Sequence, residues 1–235
     1  SIFDDEERLD IADIAQGKRN LIVGEPGVGK SMLLQKLQEH FNNNKYTASL
    51  LSLRQPDVVT QIDTFLSSTG DDGQKVLLLD ALDEVRSSDF PEVVQKIDSV
   101  ARTHPDLLIY ISSRWIFISR YANTFPEYRF ITISPFTHSQ VREYLLGAGH
   151  QERDIETLLT RIMSFSHRML VIQIPRYLFY LEDFLQKKGV DAAAKVSRND
   201  LFEYFIYSKL ELEDKKFNAD KRAIAKRVLE KLALT

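Results

Sequence analysis

The sequence predicts an α/β fold: a parallel five-stranded sheet flanked by helices, followed by an all-α helical region. Three observations carry this. Five short apolar runs, at residues 21–23, 48–53, 76–79, 107–112 and 129–133, recur along the first part of the chain. The segments between them place apolar residues at helical spacing, and strands that alternate with helices in this way form a parallel sheet covered on both faces. Beyond Pro135 the strand-like runs stop and only helical spacing remains.

Taken in order, residues 6–15 read as a short helix with Leu9, Ile11, Ile14 and Ala15 as apolar positions, stopped by Gly17. The run 21–23, between Asn20 and Gly24, is a buried strand. Residues 31–41 set Met32, Leu33, Leu37 and Phe41 at helical spacing, and three asparagines at 42–44 end the helix. A strand at 48–53, a helix at 58–66 and a polar turn at 70–73 follow. After the strand 76–79 comes a helix at 91–100 with Pro91 in its first turn, where a missing N–H is harmless. The strand 107–112, a helix at 115–121 and the strand 129–133 complete the sheet region. Helices are then expected at 139–146, 154–163, 175–187, 200–212 and 221–232, with the change of character at Pro135–His138 marking a domain boundary. The domains expected are 1–136 and 137–216, with 217–235 as the start of a third.

A chain of 235 residues can bury a full core and hold one or two domains. A net charge of −3 argues against broad electrostatic binding of nucleic acid. There is no cysteine, hence no disulfide framework and no thiolate metal site, which fits a reducing, cytoplasmic setting. No apolar run approaches the roughly 20 residues needed to span a bilayer, so no membrane partner is expected. The chain opens on Ser1 rather than Met and closes on a helix with an apolar stripe of Ile224, Val228, Leu229 and Leu232, so it is expected to be a piece of a longer protein.

Gly24-Glu25-Pro26-Gly27-Val28-Gly29-Lys30-Ser31 fits the phosphate-loop pattern G-x-x-x-x-G-K-[ST]. Chance would produce it in roughly one chain in a hundred of this length, and here it lies between a predicted strand and a predicted helix. Its residue types follow from the ligand. Glycines let backbone N–H groups turn toward phosphate oxygens. The helix that follows presents its positive N-terminal end to the anion. Lys30 supplies an ammonium to the β- and γ-phosphates, and the Ser31 hydroxyl coordinates Mg²⁺. The nucleotide-binding set is residues 24–31 with Met32.

The strand 76–79 runs into Asp80-Ala81-Leu82-Asp83-Glu84. A carboxylate at a strand's C-terminal end lies where ligands bind in open α/β sheets. Asp80 is therefore the partner of Ser31 at Mg²⁺. Asp83 and Glu84 are the candidates to orient or deprotonate an attacking water, Glu84 being favoured. The fourth strand ends in Ser112-Ser113-Arg114, where an arginine could reach a γ-phosphate; such an arginine can speed phosphoryl transfer by roughly 10³–10⁵. Pro175 opens a helix and is a candidate contact for base and sugar. Trp115 reads as a packing residue, and Phe179, Tyr180, Phe184, Phe202, Tyr204 and Phe205 as helical core. His138, His150 and His167 are isolated and lack metal-ligand spacing.

Together these motifs resemble the NACHT-type P-loop ATPases of the STAND class, signal-transduction ATPases with numerous domains. The most specific element is Leu78-Leu79-Asp80-Ala81-Leu82-Asp83-Glu84, similar to the NACHT second motif: an Asp, a small residue, an apolar residue, then an acidic pair. Ordinary AAA+ ATPases put Glu directly after the strand Asp, where this chain has Ala81. Ser112-Ser113-Arg114 resembles the family's sensor motif, with Trp115 where proline is frequent. Ile133-Ser134-Pro135-Phe136 resembles the passage into the helical domain, and Pro175 the proline near adenine. The resemblance implies a fourth strand beside the first, with Arg114 next to the phosphate loop. It implies a winged-helix domain beginning within 217–235, ATP/ADP as ligand with Mg²⁺, nucleotide-dependent homo-oligomerisation, and sensor and effector domains outside this segment. It also implies a role in innate immunity or antiviral defence.

The function expected is a nucleotide-dependent switch that hydrolyses ATP slowly. An AAA+-like motor or loader acting on DNA or protein is the main alternative, and it would show brisk turnover stimulated by a polymer. A scaffold that binds nucleotide for stability alone and a small-molecule kinase are weaker readings; no acceptor-binding lid is evident.

Overall fold

Each of the five apolar runs forms a strand in the computed structural model, which describes residues 9–68, 73–121, 124–163, 171–197, 199–201, 203 and 204. The first part of the chain runs α1 (Ile11–Ala15), β1 (Arg19–Val23), α2 (Lys30–Asn43), β2 (Thr47–Ser52), α3 (Val58–Ser67) and β3 (Lys75–Asp80). A 3₁₀ turn (Leu82–Glu84), α4 (Phe90–Thr103), β4 (Leu108–Ser113), α5 (Trp115–Ile118) and β5 (Arg129–Thr132) follow. Then come α6 (His138–Gly147), α7 (Glu152–Met163), α8 (Pro175–Lys188) and α9 (Val190–Ala193). The chain divides into two units, Ser1–Ser134 and Pro135–Thr235.

All strand pairings are parallel, in the order β2-β3-β4-β1-β5. Alternate residues of each strand feed alternate faces, as the pleat requires. Leu21, Val23, Leu77, Leu79, Ile109 and Ile111 pack on one side with Ile62, Val93 and Ile97 of α3 and α4. Ile22, Val76, Leu78, Leu108 and Tyr110 pack on the other with Ile14 of α1 and Leu34, Leu37 and Phe41 of α2. Leu77, Leu78 and Leu79 are fully buried, and each such leucine contributes about 1.5–3 kcal/mol. The central strands are held by both faces, which explains why they read as continuous apolar runs.

The edge strand β2 is guarded. Asn42 Oδ1 accepts the Ala48 N–H at 3.1 Å, and Gln38 Nε2 donates to the Ala48 carbonyl at 3.2 Å. Two polar groups of α2 thus occupy backbone positions that could otherwise recruit another strand. Where the chain enters β1, the hydroxyl of Tyr110 on the central strand β4 lies 2.9 Å from the Gly17 carbonyl and 3.1 Å from that of Ile14, and Asn20 Nδ2 donates to Gly17 O at 2.7 Å. These contacts fix the passage from α1 into β1.

Three features differ from the sequence expectations. Residues 6–8 of the helix expected at 6–15 lie outside the described residues, and in the described part α1 starts at Ile11, after the cap at Asp10: Asp10 Oδ1 accepts the Asp13 N–H and Asp13 Oδ2 accepts the Asp10 N–H. The helix expected at 115–121 is one turn, Trp115–Ile118. Beyond it the backbone bonds shorten to three-residue spacing, Arg120 N–H to Phe117 O and Tyr121 N–H to Ile118 O, while Tyr121 packs its ring on Phe90 and Phe117. The one-turn α9 was not anticipated; Gly189, at φ 81, ends α8 and opens it.

The second unit is helical in its described residues, with Val141, Leu145, Ile155, Leu158, Leu178 and Leu181 at its centre. Thr137 and Gln140 form a reciprocal cap at the start of α6. Of the aromatic run, Tyr180 and Phe184 pack in this cluster and Tyr204 stacks edge-on to Phe184, but Phe179 is exposed. His167, Phe202, Phe205, most of the helix expected at 200–212, the helix expected at 221–232 and the segment 217–235 lie outside the described residues. Among the described residues, no helix is long and apolar enough to cross a membrane.

Candidate functional site

The C-terminal edge of the sheet collects every strand-end residue singled out in the sequence. β1 leaves the sheet at Val23 and enters the loop 24–31. Gly24 begins the turn in a confined place: a Cβ there would lie 2.9 Å from Val28 Cγ2. Val28 is buried and anchors the loop. Gly29 has φ 107 with open space around its Cα, so backbone conformation, and not crowding, requires glycine there. α2 begins at Lys30 with no side chain capping its N-terminus. That leaves its first N–H groups to an anion, in the arrangement suited to phosphate.

Lys30 Nζ donates to the carbonyls of Gly24 at 2.7 Å and Glu25 at 3.0 Å, folding its ammonium back over the loop. Burial holds the Lys30 pKa below the usual lysine range; the Arg114 charge works in the same direction, and Asp83, Asp80 and Glu25 oppose it. Lys30 therefore shares one electrostatic neighbourhood with the acids after β3 and the arginine after β4.

Strand register explains that neighbourhood. β4 lies between β1 and β3, with Val23 opposite Ser113 and Leu79 opposite Ile111. One step further, Gly24 and Arg114 leave adjacent strands side by side. Asp80 likewise comes level with Ser112, whose buried Oγ donates to Asp80 Oδ1 and accepts the Ala81 N–H at 2.8 Å. Ala81 takes a left-handed conformation, φ 66. The chain turns sharply there, and the 3₁₀ turn brings Asp83 and Glu84 back along the same edge.

Both acids are engaged by arginines. Asp83 Oδ2 lies 2.7 Å from Arg114 Nε, and its Oδ1 accepts the Arg114 backbone N–H at 3.1 Å. Glu84 makes a two-pronged contact with Arg54: Nε to Oε2 at 2.7 Å and Nη2 to Oε1 at 3.0 Å. The sequence reading passed over Arg54. Its signal was there to find, since Arg54 stands two residues past the end of β2 on the same ligand-binding edge.

The residues present fit Mg²⁺ held beside a nucleotide. Ser31 lies in the first turn of α2, and Asp80 ends β3 with Oδ1 oriented by Ser112. Among the described residues, no group of three or more His, Cys, Asp or Glu could form a metal cage. One hydroxyl and one carboxylate suit an ion completed by phosphate oxygens and water. A small cleft of about 110 Å³ beside Arg54, lined by residues such as Leu53, Pro56, Arg86 and Val93, includes none of residues 24–31 and is smaller than ordinary ligand sites.

Other residues fall elsewhere. Trp115, expected to pack, is 53% exposed and touches Phe130 edge-on, with ring centroids 6.1 Å apart. Its place at the exit of β4 puts it on the sheet's rim rather than under a helix. Met32 is exposed in the first turn of α2. Pro175 occupies the first turn of α8, in the other unit. His138 is exposed, and His150 Nε2 lies 3.4 Å from Glu182 Oε1.

Residues 20–118 match the family model described as ATPase family associated with various cellular activities (AAA). The matched segment spans β1, the phosphate loop, the acidic end of β3 and Arg114. It is a P-loop ATPase domain, and the chain is accordingly an ATP-hydrolysing enzyme. No curated protein matches the chain. Among solved structures, a variant of Thermotoga maritima RuvB is similar at 14% identity, covering 92% of this chain and 70% of that one, with a TM-score of 0.47. The Thermotoga maritima RuvB Holliday junction branch migration motor gives 14% identity over the same shares and a TM-score of 0.43. Saccharomyces cerevisiae Rif2 gives 14% identity, 81% and 87% coverage and a TM-score of 0.47.

Proposed function

We propose that this ATPase is a nucleotide-dependent switch of the NACHT kind, one that hydrolyses ATP slowly and controls assembly of a larger signalling or defence protein. The observation that supports it best is the double pairing after β3. Asp83 is held by Arg114 and Glu84 by Arg54, so neither acid is free to polarise water in the resting arrangement. An ATPase whose acids are neutralised in this way turns over slowly until something rearranges them.

In this reading the backbone amides of residues 24–31 and the Lys30 ammonium bind the phosphate tail. Lys30 gives up its carbonyl contacts at Gly24 and Glu25 to do so. Ser31 and Asp80 hold Mg²⁺, which supplies charge neutralisation at the phosphates when bound. Arg114 distinguishes tri- from diphosphate, and Glu84, once released by Arg54, orients the water. Pro175 borders the base. The proposal takes 1–136 as the nucleotide-binding domain, 137–216 as the helical domain and 217–235 as the start of a winged-helix domain, working in the cytoplasm as a homo-oligomer when triphosphate is bound. Moving such a switch from 1:99 to 99:1 needs about 5.5 kcal/mol of differential binding, and the γ-phosphate contacts of Lys30 and Arg114 are its source.

A second reading, an AAA+-like motor acting on DNA or protein, is favoured by the AAA family match over residues 20–118. Nucleotide content and turnover separate the two. The switch predicts ADP carried through purification, turnover on the order of 10⁻³ s⁻¹ or slower and indifference to added duplex DNA or unfolded protein. Rapid turnover that a polymer stimulates, with no retained ADP, supports the motor and overturns the switch.

A further inference from the structure

We propose that Asp83 is a positioning residue, which aims the Arg114 guanidinium at the phosphate loop instead of activating water. The inference rests on the reading of residues 24–31 as the ATP site. Two observations carry it, and a third supports it.

The first is how Asp83 holds its partner. It grips one residue at two points: Oδ1 takes the Arg114 backbone N–H at 3.1 Å and Oδ2 takes Nε at 2.7 Å. The backbone bond fixes the point where the chain leaves β4. The Nε contact fixes the plane of the guanidinium from its inner edge, while the two terminal nitrogens are the donors that can fork onto a phosphate. Nη2 lies 3.8 Å from Glu84 Oε1, beyond hydrogen-bond reach.

The second is the asymmetry of burial. The Asp83 side chain is 6% exposed and the Arg114 side chain 46% exposed. The acid is the anchored end of the pair and the guanidinium the end open to a ligand. A carboxylate that is buried, with both oxygens already accepting from donors, is badly placed to receive a proton from water.

The third is location. Arg114 follows Ser113, which stands opposite Val23 at the mouth of the phosphate loop, and the charges of both Asp83 and Arg114 bear on Lys30.

The test is calorimetry on the full chain in Mg²⁺ buffer, measuring Kd for ADP and for a non-hydrolysable ATP analogue with a β,γ-imido bridge. Arg114→Ala should lower the ratio of analogue to ADP affinity about tenfold, the scale of one lost charge-assisted hydrogen bond. Asp83→Asn should lower it by a similar factor, with ADP affinity within about twofold of wild type and a retained thermal transition. The double variant should be no worse than Arg114→Ala alone. Asp83→Glu, which keeps the charge but displaces both contacts to Arg114, should also lower the ratio, and it keeps the test decisive should Asp83→Asn fail to fold. If Asp83→Asn keeps the analogue preference while abolishing turnover, or if the two substitutions add, Asp83 is not a positioning residue and the inference falls. If Arg114→Ala leaves the ratio unchanged, the assignment of Arg114 falls with it. Loss of all nucleotide binding only in Lys30→Ala would still leave the ATP site itself standing.

Discussion

The hydroxyl of Ser112 orients the carboxylate of Asp80 across two neighbouring strands, while accepting the N–H of Ala81 at 2.8 Å. The next residue, Ser113, is equally buried, but its Oγ has no hydrogen-bond partner among the described residues. Two adjacent serines thus carry opposite predictions. Ser112→Ala leaves the buried Ala81 N–H without an acceptor and should cost about 1–3 kcal/mol. It should also weaken Mg²⁺-dependent nucleotide binding. Ser113→Ala removes a buried hydroxyl with no partner among the described residues and should be neutral or slightly stabilising. Chemical denaturation of the two variants compares them directly.

Lys30 gives a pH prediction. In the proposed reading nucleotide binding needs the ammonium, so affinity should be full below the pKa of Lys30 in the free protein and fall as pH rises through it. Burial has lowered that pKa from the ordinary 10.5. The decline should therefore begin at a lower pH than an exposed lysine would give. The contribution to folding has the opposite slope: between the folded pKa and 10.5 the unfolded chain binds more protons, so the penalty of burying this charge fades as pH rises. Titrating ADP affinity between pH 7 and 10 checks the first sign, with Lys30→Arg as a control whose affinity stays level across that range.

Two tyrosines of the sheet unit whose hydroxyls are buried should respond differently to loss of those hydroxyls. Tyr110 OH serves the Ile14 and Gly17 carbonyls, and burial raises its pKa well above the ordinary value. Tyr110→Phe should cost about 1–2 kcal/mol. Tyr128 OH is buried with no partner among the described residues, and burial pushes its pKa up to about 12. Tyr128→Phe should be neutral or gain up to about 1 kcal/mol. At roughly 2–4 °C per kcal/mol for a chain of this size, melting curves resolve the difference in sign.

Glu84→Gln offers a further prediction. The amide loses the charge that Arg54 pairs with but keeps similar volume, so ATP should still bind. Turnover should fall by about 10²-fold or more if Glu84 is the water-orienting acid. Unchanged turnover, measured as phosphate release under single-turnover conditions, removes Glu84 from that role.

Much of this architecture was legible because the relevant signals are local. The runs at 76–79 and 107–112 are buried on one face by α4, whose spacing is visible between them, and on the other by α2, whose spacing is visible earlier in the chain, so strands and helices announce one another. The loop 24–31 was legible because phosphate chemistry restricts its residue types. The pairings of Asp83 and Glu84 were not. Arg54, Glu84 and Arg114 come from the ends of three different strands, and only the register among β2, β3 and β4 brings them together. Trp115 misled for a related reason: an aromatic residue beside a strand reads as core, yet its position one step past the exit of β4 leaves it on the rim. The start of α1 turned on the side chains of Asp10 and Asp13, a capping pair that lies inside the segment read as continuous helix.

Calorimetric titration of ADP and ATP into the wild-type chain and into Lys30→Ala, both in Mg²⁺ buffer, tests the central claim most directly. The account predicts saturable one-to-one binding by wild type and none by the variant, with the variant's unliganded melting temperature little changed. Undiminished binding by Lys30→Ala, or no heat from either nucleotide with wild type, would contradict it.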